Sequence, residues 1–184
     1  MQRDLVEAAQ RGDHEAFEAL VIALGDRLYS MARLIMRDAD QAEEAVQEAF
    51  LRAWRRLPSL RDPERFDAWV YRLLVHACAD LGRRQSRWSA EVRVVRIEPS
   101  QDDAAASFAT REQLERGFKR LRPEQRAVIV LRYYLDLAVP EIADVLGIPV
   151  GTTKSRIHYA MEVLRAALEA DERDSVVATN GRTA

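Results

Sequence analysis

The sequence is poor in cysteine, glycine and proline, and each shortage excludes a class of structure. Its 184 residues include 1 cysteine, 7 glycines and 6 prolines. The single thiol, Cys78, excludes an internal disulfide and a cysteine-based metal cluster, and its apolar helical setting predicts a small buried residue. Few glycines and prolines argue against a fibrous or low-complexity chain. No apolar stretch reaches membrane-spanning length, and the N-terminus MQRDLVEAAQRGD has no signal-peptide core. We therefore expect a cytoplasmic protein without membrane insertion of its own.

Apolar residues recur at spacings of three and four in every periodic segment, which predicts an all-α protein. The first long helix begins at Asp13. The stretch DADQAEEAVQEAFLRAWRRLP predicts a second, opened by a capping box of Asp40 and Glu43 and closed by Pro58. The third begins after Asp62, its expected N-cap. The residues of this third helix that we expect to face the protein interior are Phe66, Trp69, Val70, Leu73, Leu74, Ala77 and Leu81.

Composition divides the chain into two small helical domains and a link. The stretch EPSQDDAAAS, at 98–107, has little to bury and carries a run of acids, so we interpret its surroundings as a flexible linker. Helices resume near Thr110, where TREQ offers another capping box, and Pro123 fits the first turn of the next helix. The predicted boundaries are 1–90 for the first domain, 91–108 for the linker, 109–170 for the second domain and 171–184 for a frayed polar tail.

The stretch VPEIADVLGIPVGTTKSRIHYAMEVL has the pattern of a helix-turn-helix. Pro140 suits a first helical turn, and Gly147 suits the residue just past a helix end. A second helix follows from about Gly151. An ordinary helical hairpin would share this pattern, but the polar front of the second helix is not needed for packing. That front consists of Thr152, Thr153, Lys154, Ser155, His158 and Tyr159.

Charges are segregated along a chain whose net charge is −2. One basic run comprises Arg83, Arg84, Arg87, Arg93 and Arg96, and a second comprises Lys119, Arg120, Arg122, Arg126 and Arg132. Four acids without a compensating base in their window are Asp40, Glu43, Glu44 and Glu48. Because phosphate contacts supply most non-specific affinity for DNA, such a protein should bind DNA weakly alone. The acidic helix predicts a large basic partner that holds the protein on DNA.

These stretches together resemble the two-domain, extracytoplasmic-function (group IV) sigma factors of bacterial RNA polymerase. DADQAEEAVQEAFLRAWRRL is similar to that family's core-polymerase-binding helix, and RFDAWVYRLLVHACADLGRR to the segment that reads and melts the −10 promoter element. The stretch from LRPEQRAVIVLRYYL through the helix-turn-helix is similar to the −35-reading domain. The resemblance implies a subunit of RNA polymerase that directs transcription initiation and responds to stress or a signal. It also implies an anti-sigma factor as a partner, and a free chain that is compact or loosely hinged.

The resemblance also implies roles for particular residues. Those facing the polymerase would be Asp40, Glu43, Glu44, Gln47 and Glu48. Those at the −10 element would be Arg61, Asp62, Arg65, Phe66 and His76, which would capture an unstacked base, and Arg83 and Arg84, which would hold phosphates. At the −35 element, Lys154, Ser155, His158 and Tyr159 would lie nearest base edges, with Thr152, Thr153 and Arg156 on phosphate.

Three features of the sequence depart from the family pattern. His76 stands where the family usually has Asn, Tyr159 and Met161 stand where Arg is frequent, and Val139-Pro140 replaces a Ser-containing helix start. These departures bear on which bases are read rather than on the family.

Three other classes of protein remain as alternatives. An autonomous helix-turn-helix regulator would need a dimer interface or a ligand domain, and an adaptor would leave the polar recognition helix unexplained. An enzyme is the least favoured class, because His14, His76 and His158 lack metal-ligand spacing and no phosphate loop or nucleophile motif is present. We expect neither a cofactor nor a metal.

Overall fold

The computed structural model describes the backbone of residues 2–89 and 114–180, and the side chains of 2–84 and 114–169. Every regular element within these ranges is helical, which confirms the all-α prediction. The predicted linker around EPSQDDAAAS and the capping box near Thr110 lie outside the described residues.

Four α-helices and two short 3₁₀ turns form the first module. They are α1 (Gln2–Gln10), α2 (His14–Met36), α3 (Ala39–Arg56), the 3₁₀ turns Leu57–Ser59 and Pro63–Arg65, and α4 (Phe66–Ser89). Aspartate carboxylates cap the N-termini of α2, α3 and the second 3₁₀ turn, as expected where unpaired backbone N–H groups need an acceptor. Asp13 accepts from the Ala16 N–H at 3.1 Å, and Asp62 accepts from the Glu64 N–H at the same distance.

The N-cap of α3 corrects the sequence prediction. Asp38, in an extended conformation at φ −140° and ψ 131°, accepts from the Gln41 N–H at 2.8 Å. Asp40 is already inside the first turn, so it does not form the expected capping box with Glu43. The helix therefore begins two residues earlier, and its first turn leaves Asp40 exposed to solvent.

Alanines allow α3 to lie close against both of its neighbours, α2 and α4. The inward positions Ala42, Ala45, Ala49 and Ala53 are each 0% exposed. Because alanine side chains are short, the axes of α2 and α4 can approach that of α3. Larger side chains of α2 and α4 then fill the space between the helices. On the flank, the Trp54 ring lies 4.6 Å from His14 and 4.9 Å from Phe17, centroid to centroid.

The second module is built from shorter helices and one long one. They are α5 (114–120), α6 (Pro123–Ile129), which runs into a π-helical turn (Val130–Tyr134), α7 (Val139–Leu146) and α8 (Val150–Asn180). A methyl group at Gly117 would lie 2.9 Å from Leu164 Cδ2, so glycine permits α5 to pack closely on α8. The tail that was expected to fray is helical as far as Asn180.

The two modules pack against each other through α2 and α4 on one side and α6, the π-helical turn and α7 on the other. Buried residues of the second module, among them Leu131, Ile142 and Val145, join the same apolar cluster as Leu74 and Cys78 of the first. A smaller cluster around Val128 and Leu164 belongs to the second module alone. The largest core is therefore shared by both halves of the chain.

The alanine face of α3 generates the first prediction. Ala49→Leu adds volume where no space exists, and we expect it to lower the free energy of unfolding by about 1–3 kcal/mol. Ala68→Leu makes the same change at an exposed position of α4 and should stay within about 0.5 kcal/mol of the wild type. Urea unfolding followed by circular dichroism measures both. Equal effects from the two substitutions would show that α3 does not depend on close approach.

Candidate nucleic-acid interface

Helices α7 and α8 form the predicted helix-turn-helix. Pro140 lies in the first turn of α7, and Gly147 ends that helix in the left-handed region at φ 65° and ψ 36°. The Gly147 N–H donates to the Asp144 carbonyl at 3.3 Å, and the Ile148 N–H donates to the Ala143 carbonyl at 3.1 Å. These bonds satisfy the last carbonyls of α7 and turn the chain into α8.

The front of α8 exposes all four side chains expected at base edges. Lys154, Ser155, His158 and Tyr159 are all exposed, Tyr159 by 55%. The Ser155 hydroxyl donates to the Thr152 carbonyl at 2.9 Å within its own helix. Exposed donors on the first turns of a recognition helix are positioned to reach base edges in a major groove.

Thr153 corrects the expected set of phosphate contacts. It is 0% exposed, and its hydroxyl donates to the Pro149 carbonyl at 3.2 Å. A side chain whose hydroxyl is buried and already bonded cannot reach a phosphate, so Thr153 stabilises the start of α8 instead. Its neighbours Thr152 and Arg156 are half-buried and keep access to the surface.

A groove of about 390 Å³ adjoins the polar front of α8. Its apolar floor is Val139, Ile157 and Met161, and its rim includes Lys154 and His158. Two of the positions that depart from the family pattern, Val139 and Met161, therefore lie side by side. Apolar surface next to hydrogen-bonding groups suits the C5-methyl group of thymine, which the major groove presents.

The −10 candidates divide between exposed and buried side chains. Arg61, Asp62 and Arg65 are exposed, although the Asp62 carboxylate caps the 3₁₀ turn that precedes α4. Phe66 is 1% exposed, so it is a core residue in this conformation and its ring cannot stack on a base. Trp69 is half-buried, with its ring 6.0 Å from that of Phe66, so it offers an accessible aromatic surface although its spacing predicts an interior residue.

A chain of ion pairs connects α3 and α4 to α6. Arg52 pairs with Glu48 at 2.7 Å and with Asp80 at 3.0 Å, and Arg83 pairs with Asp80 at 2.6 Å. Arg83 also lies 3.9 Å from Glu124 of α6. Burial opposes the charges, but the hydrogen bonds outweigh it, which raises the pKa of Arg52 and lowers the pKa of Asp80.

This chain of ion pairs corrects the view that all four acids of α3 are uncompensated. Glu48 is neutralised by Arg52 one turn later, a spacing that the sequence displays and that could have been noticed. Asp40, Glu43, Glu44 and Gln47 are exposed. No cation in the described part of the chain lies within ion-pair distance of Asp40, Glu43 or Glu44. The free acidic face of α3 is therefore Asp40, Glu43 and Glu44.

The predicted basic clusters contain both exposed and buried side chains. Arg84, Lys119, Arg120 and Arg122 are exposed, whereas Arg126 is 9% exposed and lies between the modules. The side chains of Arg87, Arg93 and Arg96 lie outside the described residues. Arg132 donates to the Leu137 carbonyl at 2.9 Å, which fixes the loop ahead of α7.

Within the described ranges, no helix is long and apolar enough to span a bilayer. Over the same residues, no group of three or more His, Cys, Asp or Glu side chains is arranged to hold a metal ion.

Comparison with known proteins assigns both halves of the chain. Residues 20–88 match the family model Sigma-70 region 2, and residues 111–164 match Sigma-70, region 4. The ECF RNA polymerase sigma factor SigW of Bacillus subtilis is 30% identical over 181 residues, covering 91% of this chain and 97% of that protein. The ECF RNA polymerase sigma-E factor of Escherichia coli K12 is 31% identical over 175 residues, covering 87% of this chain and 90% of that protein.

Solved structures agree with these matches. The structure of CnrH in complex with the cytosolic domain of CnrY aligns with a TM-score of 0.64 at 31% identity, over 92% of this chain and 98% of that one. The sigma factor RpoE of Bartonella quintana, solved with the anti-sigma factor NepR, aligns with a TM-score of 0.64 at 23% identity, over 84% and 98% of the two chains. The second likeness concerns the fold alone.

His76 generates a prediction about pH. Burial lowers its pKa below the ordinary value of 6.5, and the charges of Arg72 and Arg52 act in the same direction, whereas the Leu146 backbone and Asp80 oppose them. The unfolded chain therefore binds more protons than the folded chain in the window below 6.5. His76 leaves stability unaffected above that pH, and its unfavourable effect grows as the pH falls toward the folded pKa.

Urea unfolding between about pH 8 and pH 5 measures this effect. His76→Asn should flatten the decrease in unfolding free energy on acidification. His158→Asn, at an exposed position of α8, should leave the decrease as in the wild type. An unchanged slope in His76→Asn would contradict the burial of a neutral imidazole.

Proposed function

The chain belongs to the extracytoplasmic-function sigma factors of RNA polymerase, and from this membership we propose how its surfaces divide the work of initiation. As a sigma factor it binds core polymerase and directs transcription initiation at promoters. Sigma factors are transcription regulators rather than enzymes, and in our proposal the polymerase alone performs the chemistry. One observation carries the proposal: the first module exposes the acidic face of α3, and the second module of the same chain exposes the polar front of the recognition helix α8.

The free acidic face of α3 is the proposed contact with core polymerase. Asp40, Glu43 and Glu44 are exposed and make no ion pair with a described cation, so a basic partner surface can approach without displacing an internal bond. Gln47 extends this face, and Glu48 lies at its edge. Complementary charges across an interface speed association and fix its register.

Residues at the start and along one side of α4 are the proposed reader of the −10 element. Arg61, Asp62 and Arg65 lie on the loop and turn before the helix, with Trp69 as the stacking surface. Capture of an unstacked base needs such a surface beside hydrogen-bonding groups. His76, Arg83 and Arg84 continue along the same helix, and we assign the two arginines to phosphates.

The front of α8 is the proposed reader of the −35 element. Lys154, Ser155, His158 and Tyr159 are assigned to base edges, and Thr152 and Arg156 to phosphate. The groove beside them adds an apolar surface, so thymine is the base we expect it to favour. A dimeric, autonomous helix-turn-helix regulator is the alternative, and the family membership does not favour it.

A regulatory partner and a location complete the proposal. CnrH, the solved relative at 31% identity, was captured with the cytosolic domain of another protein. We propose that an anti-sigma factor holds this chain in the same manner until a stress or signal releases it. The site of action is the cytoplasm, where RNA polymerase works.

Core polymerase binding generates the next prediction. Reversing both Glu43 and Glu44 to Lys should raise the Kd for core polymerase about thirtyfold, because each of the two reversed charges costs roughly 1 kcal/mol near a basic surface. Glu15 and Glu18, which are exposed on α2, give a control with the same change in charge. A titration with labelled core polymerase measures the affinity, and run-off transcription on a promoter from the gene's own neighbourhood measures the function. Equal affinities for the two double variants would remove α3 as the contact.

Base reading generates a further prediction. A good side-chain contact to a base edge is worth about 1–3 kcal/mol, so Lys154→Ala should lower transcription from −35-dependent promoters and change the preferred base. Arg84→Ala should weaken promoter binding without changing that preference, since phosphate contacts carry no sequence information. Transcription from a library of randomised −35 elements measures both. Identical base profiles for wild type and Lys154→Ala would be evidence against the groove assignment.

A further inference from the structure

Lysine is rare in this chain, and one of its lysines lines the groove beside α8. Among the 28 lysine and arginine residues, only Lys119 and Lys154 are lysines. Both are exposed. A guanidinium stays protonated in proteins, whereas a lysine amine can lose its proton and act as a nucleophile. Lys154 therefore gives the proposed −35 reader a reactivity that arginine would not supply.

The Lys154 amine is not occupied by an internal carboxylate. Lys154 forms no ion pair with any residue in the described part of the chain. Glu162, a carboxylate on the rim of the same groove, is bonded to Arg165 instead. Because a neighbouring carboxylate favours the protonated, unreactive form of a lysine, the pairing of Glu162 elsewhere leaves the Lys154 amine available.

His158 follows Lys154 by one helical turn. Side chains at i and i+4 are neighbours on a helix surface, and both of these residues line the groove. Neutral imidazole is the side chain that most often accepts a proton during catalysis. The sequence around Lys119, ERGFKRLRP, contains no histidine, so Lys119 lacks such a neighbour on its own helix. A nucleophile and a proton acceptor are therefore adjacent at Lys154.

The floor of the groove offers a surface for an acyl group. Val139, Ile157 and Met161 form this floor, and all three are half-buried. The groove volume of about 390 Å³ exceeds what a small acyl compound needs. A methyl or short alkyl group gains free energy when it leaves water for such a surface. The floor therefore favours an acyl donor whose carbonyl carbon lies near the rim.

We propose that Lys154 is an acylation site, modified by a small activated acyl donor, either an acyl phosphate or an acyl thioester. The lone pair of Lys154 Nζ attacks the carbonyl carbon of the donor and forms the C–N bond of an amide. The C–O or C–S bond to the leaving group breaks, and the phosphate or thiolate leaves with the bonding electron pair. The excess proton on the nitrogen passes to His158 and then to water, and nothing is oxidised or reduced.

Acylation closes the −35 reader. This consequence rests on the proposed function, in which Lys154 contacts a base edge. The modification removes the positive charge and leaves one N–H donor where the ammonium had three. The acyl group also occupies the floor that we assign to the thymine methyl group. Loss of one side-chain contact to a base edge should lower the affinity for −35 DNA about tenfold.

The two lysines give the experiment an internal control. The full chain is incubated at slightly alkaline pH with acetyl phosphate in one arm and acetyl-coenzyme A in the other. Mass spectrometry of its peptides gives the acetylation rates of Lys154 and Lys119 in the same sample. Lys154 should react on the order of tenfold faster than Lys119 with at least one donor, an effect below that of an enclosed catalytic site because the groove is open. The donor that shows this selectivity identifies the acyl source.

Substitution of the proton acceptor tests the role of His158. His158→Asn should slow acetylation of Lys154 about tenfold and leave that of Lys119 unchanged, which a general loss of reactivity would not do. His14→Asn is the matched control, because it is the same substitution at an exposed position of α2, outside the groove. Both lysines should react in this variant at their wild-type rates.

The outcomes separate the acylation site from the proposed function. Selective acetylation of Lys154 that is lost in His158→Asn and kept in His14→Asn supports the site. Equal rates at Lys154 and Lys119 with both donors, or unchanged selectivity in His158→Asn, overturn it.

Transcription then tests the consequence of acetylation. Treated protein, freed of donor and combined with core polymerase, should bind −35 DNA about tenfold more weakly than untreated protein. Lys154→Arg cannot be acylated, so treatment should leave this variant at its own untreated level. If Lys154 is acetylated selectively while binding to −35 DNA does not change, the acylation site stands and the proposed base contact of Lys154 fails.

Discussion

The packing of α4 on two sides is the constraint on which the rest of the structure depends. One face completes the core of the first module, where the alanines of α3 admit it closely. The other face requires a cover, and α6, the π-helical turn and α7 supply it. Because the proposed −10 reader lies on this same helix, the packing of the two modules also determines how much of that proposed surface is exposed.

Electrostatics act at two levels in this chain. At the surface, the acids at the start of α3 and the cations at the front of α8 form no ion pair with another residue in the described part of the chain, so they are available to larger partners. At the centre, Arg52, Asp80 and Arg83 are joined in one chain of ion pairs that reaches Glu124 of α6. A net charge of −2 is therefore a poor guide to DNA binding, because position and pairing decide which charges are available.

Local features of the sequence were good predictors of local structure. Asp62 caps the turn before α4, Pro140 begins α7, and Gly147 ends it with a positive φ, as their residue types indicated. Each of these helix ends depends on hydrogen bonds and backbone preferences within one or two turns, so the neighbouring residue types are sufficient to predict it. The cap of α3 was displaced from Asp40 to Asp38 because two acids two residues apart both satisfy the same pattern.

By itself, the sequence determined the helical class, the three long helices of the first module, the helix-turn-helix and the family, whereas α1 (Gln2–Gln10) was not predicted. Only the tertiary structure decided that Phe66 is a core residue rather than a base contact, and that Thr153 is buried. It also decided that the Glu48–Arg52 pair continues to Asp80 and Arg83, and that Arg126 lies between the modules. Periodicity reveals which face of a helix is apolar, but it does not reveal what covers a second face. That depends on residues more than forty positions away, such as Pro123 against Gly82, whose proximity arises only when the chain folds back on itself.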